Sequence, residues 1–267
     1  MERAASQITR HVGKHWGEAF PFYYVMEYPK SGGSWLSNMI ADYLQIPRPV
    51  RSVFPAGCES VLHGHWSYSP RYKRVFYQYR DGRDVVVSNY FRVLREIREP
   101  EYSSNPAYFK RRFASLFDPQ VDTEDVRAIL PRFIEEWVTR PAATRLSWSQ
   151  HVNQWAFDRP NVATLSYEEL LADASATLTR VLPIHTGVPV DPERLATTVR
   201  KYSFEQQTGR KRGIESRGDF IRKGIAGDWK NHFTRRAGEV FDRYCGDTLI
   251  RLRYEKDRSW LEALPES

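Results

Sequence analysis

The chain has 267 residues, of which 41% are hydrophobic and 27% charged, and its formal net charge is +7 at pH 7. These proportions exclude a largely disordered protein, and the length permits one sizeable hydrophobic core, which favours a single domain over residues 1–267. The basic charge favours an anionic ligand without specifying it: a nucleotide, nucleic acid, a membrane surface or a sulfated product.

The compartment is predicted from what the sequence lacks. Only 2 cysteines are present, too few for a disulfide framework in a chain of this size. Residues 1–16 are polar and basic, and no apolar run reaches the length of a membrane-spanning helix. We therefore expect a cytoplasmic protein without a membrane span, unless the chain is a piece of a longer, membrane-anchored one.

The first elements surround a glycine-containing loop. Residues 1–20 are predicted to be a helical or irregular lead-in. The run Phe22–Met26 is aromatic and β-branched, which is typical of a buried strand, and apolar residues recur at helical spacing from Trp35 to Leu44. Between them lies the stretch Tyr28–Leu36, with the sequence Tyr-Pro-Lys-Ser-Gly-Gly-Ser-Trp-Leu.

This loop has the chemistry of an anion site. A loop that ends at a helix N-terminus presents unpaired backbone N–H groups and the positive end of the helix dipole, which together bind phosphate or sulfate. Gly32 and Gly33 allow close approach of the backbone, Lys30 adds positive charge, and Ser31 and Ser34 add hydroxyl donors. In the common nucleotide-triphosphate loop the lysine follows the glycines instead. An ordinary solvated turn is the alternative, which the flanking strand and helix make less favourable.

The rest of the chain alternates strands with helices. Strands are predicted at 60–62, 74–79 and 161–167, and helices at 85–94, 148–155, 168–182, 192–201 and 235–253. Residues 205–227 are rich in Lys, Arg and Gly and are predicted to form a mobile basic loop. The alternation predicts an α/β fold with a mainly parallel central sheet flanked by helices.

Five stretches, taken in order, resemble the motifs of the cytosolic-type sulfotransferases. Residues 28–36 are similar to that family's 5′-phosphosulfate loop, Pro-Lys-Ser-Gly-Thr-Thr-Trp-Leu, and residues 80–88 to its Arg-Asn-Pro-Lys-Asp-x-x-x-Ser segment. Residues 222–231 match Arg-Lys-Gly-x-x-Gly-Asp-Trp-Lys-Asn almost letter for letter, and residues 147–155 and 165–170 occur at the expected places between these segments. Together the five cover most of residues 22–241.

The resemblance implies a P-loop-like nucleotide-binding fold and a reaction. A sulfonate group would pass from 3′-phosphoadenosine 5′-phosphosulfate (PAPS) to an acceptor hydroxyl or amine, leaving 3′-phosphoadenosine 5′-phosphate (PAP). A 3′-phosphate carries nearly two negative charges and needs cationic and backbone donors. The implied nucleotide contacts are Lys30, Ser31, Gly32, Gly33, Ser34, Trp35, Arg80, Ser88, Tyr167, Phe204, Arg222, Lys223 and Gly224. For each aromatic residue a core role is the alternative, and for the basic loop a solvated surface.

The acceptor has to lose a proton, and a neutral histidine suits this role near neutral pH. The family's base is the histidine of Lys-Thr-His, and the corresponding triplet here is His63-Gly64-His65. The resemblance therefore implies His65 as the base and Lys30 as the group that stabilises the leaving phosphate. His63 replaces the family's lysine, and Gly33 replaces a threonine of the loop. Two histidines could also bind a metal, but the sequence shows no cysteine or carboxylate cluster to complete a site, so we expect none.

Two other functions fit parts of the sequence. An ATP-dependent nucleoside or small-molecule kinase would share the architecture, although the Gly-Lys-Ser/Thr order and an evident magnesium carboxylate are missing. A non-enzymatic binder of polyanions would use only the basic surface, and its binding would weaken steeply with salt.

The partners are the least specified part. Residues 51–73, 92–147 and 205–221 are expected to line the acceptor side, and their mixture of aromatic residues and arginine allows a small molecule or a glycan. Nucleic acid is not an expected partner. Residues 230–239 resemble the family's short dimer motif with Arg235 in place of valine, which removes an apolar contact from the homodimer expected there.

Overall fold

The computed structural model describes residues 2–50, 58–99, 101, 105–117, 122–142, 144–217, 219 and 221–266, and the side chains of 2–6 and 106 lie outside this description. The chain divides into two compact units. The first unit comprises Met1–Arg80 and His151–Lys211, and the second comprises Asp81–Gln150 and Arg212–Ser267.

The first unit is built on a parallel sheet. Its strands are β1 (Phe22–Glu27), β2 (Ser60–Gly64), β3 (Arg74–Tyr79) and β4 (Val162–Ser166), in the order β2-β1-β3-β4. Each strand runs parallel to its neighbours, and Tyr24 of β1 lies opposite Leu62 on one side and Val75 on the other. Every residue of β1 is buried, as expected for a central parallel strand covered on both faces. The predicted α/β fold with a mainly parallel sheet is confirmed.

The helices, in chain order, are α1 (Glu2–Trp16), α2 (Gly33–Leu44), α3 (Gly82–Arg98), α4 (Pro106–Arg112), α5 (Val126–Thr139), α6 (Trp148–Trp155), α7 (Tyr167–Ala172), α8 (Ala174–Thr186), α9 (Pro192–Lys201), α10 (Phe204–Thr208) and α11 (Arg235–Arg251). No helix in the described part of the chain combines the length and the apolar character needed to cross a bilayer.

Apolar side chains pack on both faces of the sheet. Successive residues of a strand point to opposite faces, so the run in β1 contributes to two core clusters. Val25 belongs to a cluster that includes Leu36 of α2, and Tyr24 belongs to one that includes Tyr77 of β3 and Trp155 of α6. The aromatic and β-branched composition of β1 is therefore explained by burial on both sides.

Two predicted segments differ from the observed helices. The helix expected at 168–182 is interrupted at Asp173, whose side chain accepts the N–H of Ala176 and starts α8 as an N-cap. The basic loop expected at 205–227 begins as a helix, because Ser203 caps α10 and Gly209, at φ +68°, ends it. Further along, the backbone is also hydrogen-bonded, from Gly213 N–H to the carbonyl of Lys223 at 2.9 Å.

The second unit is formed by helices and turns. Helix α5 packs against α3 and α11. A buried aromatic cluster includes Tyr90 of α3 and Phe133 of α5, whose ring centroids are 5.3 Å apart. Trp148 of α6 and Phe241 of α11 add a second contact, at 6.0 Å. These helices hold the segments 81–88 and 222–231, which the resemblance assigns to nucleotide binding.

Candidate active site

The loop between β1 and α2 is shaped by left-handed backbone conformations. Lys30 has φ +78° and Gly32 has φ +99°, and α2 begins directly afterwards at Gly33. At Gly32 the left-handed conformation favours glycine. Space also requires it, because a Cβ on Gly32 would lie 2.7 Å from the ring of Tyr167. The predicted tight loop at a helix N-terminus is confirmed.

Two buried polar side chains beside this loop have no hydrogen-bond partner among the described residues. They are the hydroxyl of Ser31 and the amide of Gln78 at the end of β3, and both residues are 0% exposed. Buried polar groups in folded proteins nearly always have a partner. The oxygens of an anionic ligand would accept from the Ser31 hydroxyl and the Gln78 amide N–H groups, so the loop fits the 5′-phosphosulfate end of the expected nucleotide.

Arg80 and two aromatic residues surround the same loop. Arg80 Nη1 donates to the carbonyl of Lys30 at 3.3 Å, and its guanidinium carbon lies 4.3 Å from the ring centroid of Tyr167. The rings of Tyr167 and Trp35 meet edge to face at 6.1 Å. Trp35 Nε1 in turn donates to the carbonyl of Tyr202 at 2.7 Å. Four of the residues implied by the resemblance are therefore adjacent in the first unit.

Phe204, the third residue implied for adenine, begins α10. It is buried, and the guanidinium carbon of Arg210 lies 5.4 Å from its ring centroid. Its contact with a nucleotide stays a prediction.

A buried carboxylate joins the loop to the two histidines. Glu27, the last residue of β1, is 4% exposed and accepts a hydrogen bond from the backbone N–H of Gly33. Its Oε1 lies 2.9 Å from His63 Nε2 and 4.0 Å from His65 Nδ1. Sequence reasoning missed Glu27. The available signal was a single carboxylate at the end of an otherwise apolar strand, directly before the loop.

Hydrogen bonding determines which nitrogen of His65 can accept a proton. Nδ1 lies 3.1 Å from the backbone carbonyl of Glu27, and because a carbonyl only accepts, Nδ1 must carry the hydrogen. The lone pair of the neutral ring is then on Nε2. Burial lowers the pKa of His65 below its ordinary 6.5, and the charge of Glu27 opposes this effect. His65 is therefore neutral at pH 7, with Nε2 able to act as a base.

His63 makes contacts that differ from those expected of a lysine. Its Nε2 bonds to Glu27, and its Nδ1 lies 3.5 Å from Arg48 Nη2. Arg48 Nε also donates to the hydroxyl of Ser37 on α2 at 2.7 Å, and Arg10 of α1 donates to the carbonyl of His63 at 2.9 Å. Both ring nitrogens of His63 thus face protein groups. Sequence reasoning missed both arginines, because they lie outside the recognisable motifs.

The same cluster has the composition of a metal site. Ligand-type atoms of Glu27, His63 and His65 all lie within 4.8 Å of one another, so the fold supplies the carboxylate that was not evident from the sequence. In this structure the side chains of Glu27 and His63 are instead hydrogen-bonded to each other, Glu27 also accepts from the N–H of Gly33, and His65 donates to the backbone carbonyl of Glu27. The nearby guanidinium groups of Arg10 and Arg48 disfavour a dication electrostatically. That the protein works without a metal stays a prediction.

In the second unit a buried aspartate joins the two nucleotide motifs. The carboxylate of Asp84 on α3 accepts the N–H groups of Gly227 at 2.7 Å and Trp229 at 2.9 Å, and Asp84 is 2% exposed. Ser88 lies one turn further along the same face of α3. Segments 81–88 and 222–231 are therefore adjacent, as binding to one ligand would require.

Arg222 and Lys223 are oriented by a second buried aspartate. Lys223 Nζ lies 2.8 Å from Asp228 Oδ1, and Arg222 bonds to Asp228 Oδ2 and, at 2.5 Å, to Glu215. Burial alone would raise the pKa of Asp228, but its contact with His232 at 3.4 Å and its hydrogen bonds with Lys223 and Arg222 lower this pKa strongly. The ionised carboxylate therefore fixes the direction of both cations. Gly224, the next residue, has φ +64°.

The tryptophan of the last motif has a packing role. The guanidinium carbon of Arg83 lies 3.8 Å from the ring centroid of Trp229 and 4.8 Å from that of Trp260. Arg83 is 2% exposed and forms ion pairs with Asp81 at 2.8 Å and Glu255 at 2.5 Å. Unlike Arg80, this arginine of the 80–88 segment is fully engaged in the core of the second unit.

The profile of the sulfotransferase domain family matches residues 67–253, more than half of the chain. Human sulfotransferase 2A1 is 26% identical over 272 residues, covering 86% of this chain and 85% of the relative. Human sulfotransferase 2B1 is 27% identical, and the match covers 82% of this chain and 64% of the relative. The 3-alpha-hydroxysteroid sulfotransferase of Cavia porcellus is 26% identical, and the match covers 81% of this chain and 79% of the relative.

Two solved structures have a similar fold. Mouse sulfotransferase SULT7A1 in complex with PAP superposes with a TM-score of 0.61 at 18% identity, covering 99% of this chain and 96% of that one. Retinol dehydratase in complex with androsterone and PAP superposes with a TM-score of 0.58 at 19% identity, and the match covers 86% of this chain and 80% of that one. The family match, together with these relatives, establishes that the chain belongs to the sulfotransferase domain family and is a PAPS-dependent sulfotransferase.

Proposed function

We propose that the chemical step takes place in the first unit, with His65 as the base and Lys30 as the group that stabilises the leaving phosphate. One observation carries this assignment. The carboxylate of Glu27 accepts the N–H of Gly33 in the anion loop and also bonds to His63. The backbone carbonyl of Glu27 accepts from His65. The anion loop and the base therefore belong to one hydrogen-bonded cluster.

Each residue has a defined task in this proposal. PAPS, when bound, supplies an electron-poor sulfonate group. Lys30, the hydroxyls of Ser31 and Ser34 and the loop's backbone N–H groups other than those of Ser31 and Gly33, which already have partners, neutralise the negative charge that develops on the phosphate. His65 Nε2 accepts the proton of the acceptor hydroxyl. Because no covalent intermediate is needed, positioning and charge stabilisation supply most of the rate enhancement.

The nucleotide's other groups are assigned to the residues that the resemblance implies. Arg80, Ser88, Arg222, Lys223 and Gly224 bind the 3′-phosphate in this proposal, and Trp35, Tyr167 and Phe204 contact adenine. The complexes of mouse SULT7A1 and retinol dehydratase with PAP support a nucleotide of this kind. The buried, unpartnered Ser31 and Gln78 beside the loop support binding at this position.

We propose a hydroxyl of a small, largely apolar molecule as the acceptor, with an amine or a glycan as the alternatives. Two relatives, both from Cavia porcellus, are named hydroxysteroid sulfotransferases. Aromatic residues follow His65 in the first unit. The ring centroids of Trp66 and Tyr72 are 5.8 Å apart, and those of Tyr68 and Trp155 are 5.2 Å apart. Parts of the segments expected to line the acceptor side, at 51–57, 100, 102–104, 118–121, 143, 218 and 220, lie outside the described residues.

Cytoplasmic location and a homodimer remain proposals. Cys58 and Cys245 are free thiols, which fits a reducing compartment. In the expected dimer motif, Arg235 pairs with Glu266 at 2.6 Å and Thr234 caps α11. Arg235 is thus already engaged within its own chain, so the dimer rests on sequence resemblance.

The direct test is transfer of label from [³⁵S]PAPS to a panel containing a 3-hydroxysteroid, a simple phenol, an arylamine and a glycan. We expect labelled steroid or phenol, and His65→Ala should lower kcat by about 10²- to 10⁴-fold while PAP still binds. Activity of His65→Ala within tenfold of the parent would remove His65 from the role of base. Binding of magnesium-ATP in preference to PAP would contradict the donor.

A further inference from the structure

Two departures from the family's motifs meet at Glu27. Gly33 stands where the family has threonine, and His63 where it has lysine. A Cβ on Gly33 would lie 2.7 Å from Glu27 Cδ and 2.9 Å from His63 Nε2. Any side chain at position 33 would therefore displace the carboxylate or the imidazole. The glycine, the glutamate and the histidine form one packed group, called here the Glu27 cluster.

We propose that Glu27 is a positioning residue for sulfonate transfer, which holds His65 with Nε2 free and stabilises the imidazolium that forms when His65 accepts the acceptor's proton. This inference rests on the proposed function, because it assigns Glu27 a role through His65. The proton moves from the acceptor oxygen to His65 Nε2, and the oxygen's electron pair forms the new bond to sulfur as the bond between sulfur and the leaving phosphate oxygen breaks.

The geometry gives Glu27 two means of acting on His65. Its backbone carbonyl accepts from Nδ1 at 3.1 Å, which fixes the ring and its tautomer. Its carboxylate lies 4.0 Å from the same nitrogen, where a negative charge favours the protonated ring. A buried histidine without such a charge is a poor proton acceptor, because burial disfavours its charged form.

Glu27 is ionised in this environment. Burial by itself would raise the pKa of its carboxyl group, but the hydrogen bonds with His63 and with the N–H of Gly33 lower this pKa below its ordinary value. The other charged or titratable groups that influence His65 are Arg10 of α1, His63 of β2 and His151 of α6. Glu27 is the only anion among these described groups, so its effect on His65 is opposite to theirs.

A carboxylate in an anion-binding loop should also weaken donor binding. Glu27 occupies the N–H of Gly33 and repels an approaching phosphosulfate. Removal of its charge is therefore expected to change binding and turnover in opposite directions. A purely structural role predicts that both decline together, which makes the comparison diagnostic.

The test uses Glu27→Gln in the 267-residue chain, with Glu27→Asp to restore the charge and Glu193→Gln as the matched control. Glu193 is an exposed carboxylate of the same unit, in the first turn of α9, outside the segments assigned to the donor or the acceptor. For each variant we would measure thermal unfolding, PAP affinity by calorimetry, kcat against pH with [³⁵S]PAPS and a 3-hydroxysteroid or phenol, and histidine titration by NMR with ¹³C-labelled imidazole.

For Glu27→Gln we expect kcat to fall by about 10- to 100-fold, as partial loss of general-base catalysis, with PAP affinity unchanged or higher. The pKa of His65 should fall further in the NMR titration, and Glu27→Asp should recover part of both effects. Glu193→Gln should match the parent. An unchanged His65 titration, kcat within twofold of the parent, or equal losses of kcat and PAP affinity would overturn the proposal. Absence of transfer by the parent to every acceptor would instead refute the proposed function, and the titration would still test the coupling of Glu27 to His65.

Discussion

Gly33→Ala is predicted to destabilise the protein because of the Glu27 cluster. The added Cβ would lie 2.7 Å from Glu27 Cδ and 2.9 Å from both Glu27 Cγ and His63 Nε2, closer than real Cβ contacts. Glu27 is 4% exposed and hydrogen-bonded on both oxygens, so it has little freedom to move. Overpacking of this kind typically costs about 1–3 kcal/mol.

Part of this cost is offset, since alanine is favoured over glycine in a helix by about 0.5–1 kcal/mol. A net loss of up to about 2.5 kcal/mol therefore remains, measurable as a lower midpoint of urea unfolding. In the Glu27→Ala background two of the three crowding atoms are absent. There Gly33→Ala should be neutral or slightly stabilising, and because the helix-propensity gain is the same in both backgrounds, the coupling energy between the two sites should equal the overpacking cost of about 1–3 kcal/mol.

The double-mutant cycle separates crowding from other effects of the substitution. Unfolding of the parent, both single variants and the double variant would be followed by far-UV circular dichroism. If Gly33→Ala destabilises equally with and without Glu27, then backbone effects are responsible and the packing argument is refuted.

Three further predictions follow from individual groups. Because desolvation lowers the pKa of His65 below 6.5, the acid limb of the kcat/KM profile, which reports the free enzyme, should have its midpoint below pH 6.5; a midpoint above 6.5 would contradict a neutral, partly buried base. Asp228→Asn should cost about 3–5 kcal/mol in urea unfolding, because Arg222 and Lys223 lose their shared carboxylate, whereas Asp247→Asn, whose side chain is 90% exposed, should cost little. Since the folded-state pKa of Asp228 is lowered, its contribution to the free energy of unfolding should be complete above its ordinary pKa of 3.8 and should be lost as the pH falls toward the folded-state pKa. If the loss of stability in Asp228→Asn stays the same at low pH, this explanation is contradicted. Dialysis against EDTA should leave turnover unchanged, and a loss that Zn²⁺ restores would show that Glu27, His63 and His65 bind a metal.

The sequence predicted most of the secondary structure because the signals were local. The strand, loop and helix from Phe22 to Leu44 were identified from composition and spacing within one stretch, and the structure has them at nearly the same bounds. The interruption at Asp173 was missed, because a capping aspartate inside an apolar repeat is a weaker signal than the repeat itself.

The candidate site was only partly predictable, for a related reason. Lys30 and His65 belong to recognisable motifs, but Glu27 acts through its neighbours in the sheet. Its proximity to His63 follows from the pairing of β1 with β2, in which Val25 lies opposite His63. Such a partnership between strands distant in sequence becomes visible only when their register is known.

If Arg222, Lys223 and Gly224 bind the 3′-phosphate as proposed, the hydrogen bonds of Asp84 have a consequence for that binding. They fix the backbone at Gly227 and Trp229, while Asp228 fixes the side chains of Arg222 and Lys223. Donors that are already immobile lose little conformational freedom when a phosphate arrives, so less of the binding free energy is spent on ordering them. An enzyme built in this way can hold its product nucleotide tightly, and PAP release is then a natural candidate for the slow step of turnover.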